Sequence, residues 1–211
     1  MSDPGTKNLR EGSTVKREAI LDAARDLFLS DGFDRTSVDA VAARATVSKR
    51  TVYDYFGDKR SLLIAVIDQA TASLMASITD SLDRHLSDVS DLEAALTGFA
   101  LDVAGSTMGS ADYVTVTRLI RSELGRDVEL LDNDVDTAPE VALAARLAVL
   151  GERGLLDVPD PRLAADHFIA LTIMMAFRGL AAAESLRRGD IDRQAIIDGT
   201  RAFIRAYRPR P

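Results

Sequence analysis

Lys49, Arg50, Thr51, Tyr53 and Tyr55 are packed into one short polar stretch directly after Ser48. Two cations and three hydroxyls are hydrogen-bond donors, and no histidine or nucleophile–base pair lies among them. Such a set suits recognition of an acceptor-rich polyanion better than bond making. On a helical period Val52 and Phe56 fall together on the opposite side and can anchor the segment. The polar side is then free to face DNA. Gly57 breaks the chain, Asp58 can cap the next helix, and Lys59 and Arg60 open it. A helix start of that kind, with free N–H groups and positive charge, binds phosphate. The same residue types have plainer uses: Tyr53 and Tyr55 can pack, and Lys59 and Arg60 can be a solvated helix start.

Other elements must hold that stretch in place. Val38, Val41, Ala42 and Ala45 line one side of a preceding helix, with Ser37 placed to cap it and Asp39 near its positive end. Residues 36 to 62 therefore read as two short helices about a tight turn, followed by the start of a third. A further helix is expected over 14 to 30, burying Ile20, Ala23, Ala24, Leu27 and Phe28 and stopping before Gly32.

The pattern A-x-x-A-x-V-S-x-x-T-[VL]-Y-x-Y-F-x-x-K-x-x-L is met by Ala42, Ala45, Val47, Ser48, Thr51, Val52, Tyr53, Tyr55, Phe56, Lys59 and Leu62. Upstream it continues through Ile20, Ala23, Ala24, Leu27, Phe28, Gly32 and Phe33. Over residues 14 to 65 the chain resembles the DNA-binding domain of the TetR family of bacterial transcriptional regulators. The resemblance implies that Lys49, Arg50 and Thr51 lie at the groove beside Ser48. It also implies phosphate contacts for Ser37, Tyr53, Tyr55 and Lys59. Two positions depart from the family pattern, which commonly has Gly where this chain has Thr46 and Arg50. A β-branched Thr46 in a left-handed turn costs roughly 1–2 kcal/mol unless the turn adopts another geometry. Arg50 adds a bidentate donor suited to guanine O6 and N7, and so predicts base specificity.

The formal net charge of −7 argues at first against nucleic acid. Its distribution removes the objection: residues 1–60 carry 11 Lys and Arg against 10 Asp and Glu, leaving 15 against 23 for 61–211. The absence of cysteine excludes disulfides and thiolate chemistry. There is no phosphate-loop, dinucleotide or nucleophile-elbow motif, so an enzyme is not expected. His85 and His167 form no metal pattern, and neither metal nor cofactor is expected. The N-terminus lacks an apolar signal core, the run from His167 to Phe177 is too short to cross a bilayer, and a cytoplasmic protein is expected.

The remainder reads as helix throughout, giving an all-α chain: an arm over 1–13, the DNA-binding domain over 14–60, a larger domain over 61–207 and a tail over 208–211. A long helix from Lys59 to about Leu86 joins the two. Further helices are expected over 91–107, 111–124, 139–154, 161–187 and 191–206, with 125–138 either a short helix and loop or a solvated connector. The family resemblance implies a homodimer built from the last two helices. Ala165, Phe168, Thr172, Met175, Ala176, Gly179, Ala183, Ile196, Thr200, Phe203, Ile204 and Tyr207 are its candidate surface, with intrachain core as the alternative. Two-fold symmetry suits a palindromic operator. The resemblance likewise implies a small-molecule effector, largely apolar, for which Phe99, Met108, Tyr113, Leu119, Phe168, Met174, Met175 and Phe177 are candidate lining residues. A helical adaptor without DNA affinity is the competing reading.

Overall fold

Residues 4–107, 110–119, 134–176 and 191–209 are described by the computed structural model. They are helical, with no strand among them. In chain order the elements are α1 (Pro4–Asp31), α2 (Val38–Arg44), α3 (Lys49–Phe56), α4 (Lys59–Leu86), α5 (Leu92–Asp102), α6 (Ala111–Leu119), α7 (Asp134–Glu152), α8 (Pro161–Ile169) and α9 (Arg193–Ala206). Both α5 and α8 run on into one wider π-helical turn, Val103–Thr107 and Ala170–Met174.

Short polar residues set the helix starts, as their chemistry requires. Asp91, Asp160 and Asp192 each accept a hydrogen bond from a backbone N–H of the first turn, and Pro161 occupies the first position of α8, where a missing N–H costs nothing. Two helices begin earlier than the sequence pattern indicates. The expected arm over 1–13 is helical from Pro4, since proline is tolerated in a first turn and no second proline follows before Ser13. Helix α7 starts at Asp134 and so takes in the end of the 125–138 segment, the rest of which lies outside the described residues.

The chain divides into two compact units. The first comprises Met1–Ala72 with Thr115–Leu130, and the second Ser73–Val114 with Leu131–Pro211. The boundary falls inside α4 rather than near residue 60. No linker marks it, because α4 contains neither Gly nor Pro. By length and composition alone α4 could cross a membrane, with a mean hydropathy of 1.6 over 18 residues. Five apolar residues of its first half, Leu62, Leu63, Val66, Ile67 and Ala70, are buried in the first unit.

In the first unit those side chains are joined in burial by Ile20, Leu21, Ala24 and Phe28 of α1, Val41 of α2, and Val52 and Phe56 of α3. The second unit has a larger core, from Leu82 and Leu86 through Leu96, Phe99, Leu143, Leu147 and Leu150 to Phe168, Ile196 and Phe203. Phe168 meets Phe203 edge-on at 5.2 Å, and Phe203 stacks on Tyr207 at 4.6 Å between centroids. Helix α9 comes so close to the π-helical turn after α8 that a Cβ on Gly199 would sit 1.8 Å from the Leu171 carbonyl oxygen. Only glycine fits there.

Candidate nucleic-acid interface

Helices α2 and α3 start alike. The Ser37 hydroxyl accepts from the Ala40 N–H at 3.1 Å, and the Ser48 hydroxyl from the Thr51 N–H at 3.0 Å. Ser48 also shares a hydrogen bond with the Thr51 hydroxyl at 2.8 Å. Between the helices, Thr46 takes a left-handed backbone with φ 57°. The Val47 N–H reaches back to Ala42 O at 3.0 Å and the Thr46 N–H to Ala43 O at 3.2 Å. These are the two bonds of a Schellman stop, a place where Gly is the usual residue. The turn thus keeps the tight geometry, with threonine strained in it.

With Val52 and Phe56 buried, α3 turns its other side outward. Arg50 is the most open of its side chains at 90% exposure, and Tyr53 is 43% exposed. Lys49 is half-exposed and donates to Asp39 Oδ2 at 2.9 Å. That hydrogen bond, and then the charge of Asp39, raises the Lys49 ammonium above the usual lysine range. Arg50 Nε lies 3.8 Å from Asp54 Oδ2 one turn on, and Arg44 of α2 binds Asp26 of α1 at 2.7 Å. The i,i+4 spacing of Arg50 and Asp54 is a sequence signal for their pairing. Asp26 and Asp39 come into place only through tertiary packing.

Two side chains expected at phosphates are hydrogen-bonded within the chain. The Lys59 ammonium donates to the carbonyls of Phe33 at 2.8 Å, Thr36 at 3.0 Å and Asp34 at 3.4 Å, and lies 4.2 Å from the Phe33 ring centre. All three of its protons are thereby engaged. Positive charge is unfavourable at a helix start, and these carbonyls supply the compensation. The Tyr55 hydroxyl donates to Ser13 O at 3.0 Å and lies 2.8 Å from the Ser13 hydroxyl, tying α3 to α1. Asp58, by contrast, caps α4 as its position in the sequence suggests: it accepts from the Ser61 N–H at 2.7 Å, which holds its carboxyl below the usual carboxylate range.

Two short helices about a tight stop, the second with its apolar side buried and a cationic, hydroxyl-bearing side outward, define a helix-turn-helix DNA-binding unit. The family model for bacterial regulatory proteins of the tetR family matches residues 20–66, and that for the C-terminal domain of AefR-like transcriptional repressors matches residues 94–209. The chain belongs to the TetR family of transcriptional regulators.

Among curated relatives, the transcriptional activator FasR of Mycolicibacterium smegmatis is 27% identical over 63% of this chain and 53% of its own length. The repressor TetR of Mycobacteroides abscessus is 38% identical over 32% of this chain and 35% of its own. The matched parts thus span about a third to three fifths of such relatives. A TetR-family regulator from Mesorhizobium loti has the same fold, with a TM-score of 0.77 at 23% identity over 92% of this chain and 98% of that one. The flavonoid-responsive regulator FrrA gives a TM-score of 0.60 at 28% identity, over 93% and 98%.

The residues of the other two candidate sets fall in different surroundings. Of the dimer set, Ala165, Phe168, Thr172, Ala176, Ile196, Thr200 and Phe203 are buried within the single chain. Ile204 and Tyr207 are half-buried against the same core. Helical periodicity marks a buried side without saying which chain covers it, and here it is this chain. Met175 is exposed, while Gly179 and Ala183 lie outside the described residues. Of the effector set, Phe99 and Phe168 pack together in the core at 6.1 Å. Met174 and Met175 are exposed, Tyr113 is half-buried, and Leu119 belongs to the first unit. Met108 and Phe177 lie outside the described residues. A surface groove of about 410 Å³ beside the α7–α8 turn is lined by Ala148, Gly151, Glu152, Leu156, Asp157, Val158, Pro159 and Pro161, none of them in that set. His167 Nδ1 lies 2.8 Å from the Tyr207 hydroxyl and His85 Nε2 3.5 Å from Asp102, so both histidines sit in polar contacts.

Proposed function

We propose that the protein is a dimeric, ligand-responsive repressor in which α3 enters the major groove of a palindromic operator. The observation that carries this reading is the exposure of Arg50 on a helix whose Val52 and Phe56 are buried. Arg50 reads a guanine, Lys49 and Thr51 flank it in the groove, and Ser37, Ser48 and Tyr53 approach the backbone phosphates. Lys59 and Tyr55 act one step back, fixing α4 and α1 against the reading elements. Exposed Leu163 and Met174, on α8 and its π-helical turn, supply apolar surface for a second copy.

Repression is favoured over activation by the match of the larger domain to an AefR-like repressor. Effector control is favoured by the flavonoid response of FrrA. In the proposed cycle an apolar effector binds the DNA-incompetent state more tightly and shifts the population. A 100-fold preference supplies about 2.7 kcal/mol.

The test is to select bound duplexes from a random pool and measure the affinity of the selected operator against a scrambled duplex. Arg50→Ala is expected to weaken operator binding by about 1–3 kcal/mol and scrambled binding far less. Equal losses on both duplexes would remove Arg50 from base reading. An absence of salt-dependent binding to any duplex would favour the adaptor instead.

A further inference from the structure

The three cations Arg44, Lys49 and Arg50 of α2 and α3 each face a carboxylate of the same unit: Asp26 at 2.7 Å, Asp39 at 2.9 Å and Asp54 at 3.8 Å. Two of those carboxylates, Asp39 and Asp54, are themselves largely exposed and lie beside the outward cations of α3. Ion pairs this open contribute little to folding. Their effect is instead on charge. A helix meant to approach a polyanion carries Lys49 and Arg50 with a carboxylate at hand for each, in a stretch of chain that is nearly neutral overall.

We propose that Asp39 and Asp54 are specificity-determining residues that suppress sequence-independent DNA binding by competing with phosphate for Lys49 and Arg50. The inference rests on the proposed DNA-binding function. On a random sequence, each cation that turns to a phosphate leaves its own carboxylate beside the polyanion, so the attraction is largely cancelled. On the correct sequence, base-edge hydrogen bonds from Arg50 supply what phosphate attraction does not. Asp54 also limits the directions open to the Arg50 guanidinium, a positioning role for the residue that reads the base. Fewer cations free to displace counterions means a shallow salt dependence for the natural protein.

The experiment measures binding of the full chain to two labelled duplexes across a salt series: a mixed-sequence duplex and an operator selected from a random pool. Asp39→Asn and Asp54→Asn are each expected to tighten binding to the mixed-sequence duplex roughly three- to tenfold. Each should steepen the log–log salt slope by about 0.9 as one cation is released to a phosphate. The ratio of operator to mixed-sequence affinity should fall. Asp54→Glu, which keeps the charge, should hold the natural ratio. A damaged fold would weaken both duplexes, the opposite of the expected gain, and Asp39 and Asp54 lie on different helices, so the two variants test the idea separately. Unchanged or weaker mixed-sequence binding in both variants, with natural helicity and melting, overturns the proposal while the DNA-binding function stands. Failure of the natural protein to bind either duplex at low salt takes down both.

Discussion

Two turns, one in each unit, solve the same problem with different residues: each stops a helix with a left-handed residue and sends the chain into the next. After α2 the stop is Thr46, with bonds from Val47 to Ala42 at 3.0 Å and from Thr46 to Ala43 at 3.2 Å. After α7 it is Gly154, with bonds from Leu155 to Leu150 at 3.0 Å and from Gly154 to Gly151 at 2.9 Å. The backbone angles are alike, φ 57° and 73°. Glycine adopts that conformation freely, whereas threonine gives up roughly 1–2 kcal/mol. Strain therefore sits in the turn that aims α3 and not in the turn that organises the larger core. The first unit holds its shape with side chains that bond to backbone, such as Lys59, Tyr55 and Thr36. In the second, α9 lies so close to the π-helical turn after α8 that position 199 has no room for a Cβ.

The sharpest break of that contrast is expected at Gly199. A methyl group there would overlap the Leu171 carbonyl, and backbone on both sides must move to admit it. Gly199→Ala should cost more than about 4 kcal/mol, at the far end of single-residue effects, or abolish folding of the second unit. Urea unfolding followed by circular dichroism reads the loss. A variant of near-natural stability would show that α9 and the turn it packs against have slack after all.

Lys59→Met gives the matching test of the first unit. The substitution keeps the apolar stem and removes the ammonium from the carbonyls of Phe33, Asp34 and Thr36. A loss of about 1–3 kcal/mol is expected, since the Thr36 and Asp34 carbonyls lose the ammonium and the Phe33 carbonyl keeps only the Thr36 N–H. The operator salt slope should stay as it was, because Lys59 is not among the proposed phosphate contacts. A slope shallower by about 0.9 would return Lys59 to the phosphate set.

Much of the reading unit is legible in the sequence because its determinants are local. Ser37 and Ser48 cap the helices they precede, Val52 and Phe56 turn inward, and Thr46 stands where a left-handed residue is needed. The choice of partner over distance is not local. Lys59 and Tyr55 carry groups equally fit for phosphate, and only the folded chain shows carbonyls of the α1–α2 connection and Ser13 in reach. The same limit explains the dimer set. Phe168, Ile196 and Phe203 obey helical periodicity, and that periodicity is identical for an intrachain core and for an interface. The unit boundary is hidden for a different reason, since α4 passes from residue 72 to 73 with no Gly or Pro to mark the change.

The smallest expected effect is also the most direct test of the two turns, an exchange of their residues. Thr46→Gly should raise stability by about 0.5–1 kcal/mol, the relieved strain less the extra freedom glycine gives the unfolded chain. Gly154→Thr should lower it by about 1–2 kcal/mol through backbone conformation, since no atom outside the adjacent residues lies within 4 Å of the position its Cβ would take. For a chain of this size each kcal/mol moves the melting temperature of the affected transition by about 2–4 °C. The two shifts should therefore have opposite signs and be resolved by calorimetry. Operator affinity separates strain from function. If the turn serves only to connect, Thr46→Gly leaves affinity unchanged while the protein melts higher. If the stiff β-branched residue fixes the angle between α2 and α3, affinity falls although stability rises. A protein that melts lower with glycine at position 46 would mean that Thr46 gains from its surroundings more than its backbone loses, and the contrast between the two turns would disappear.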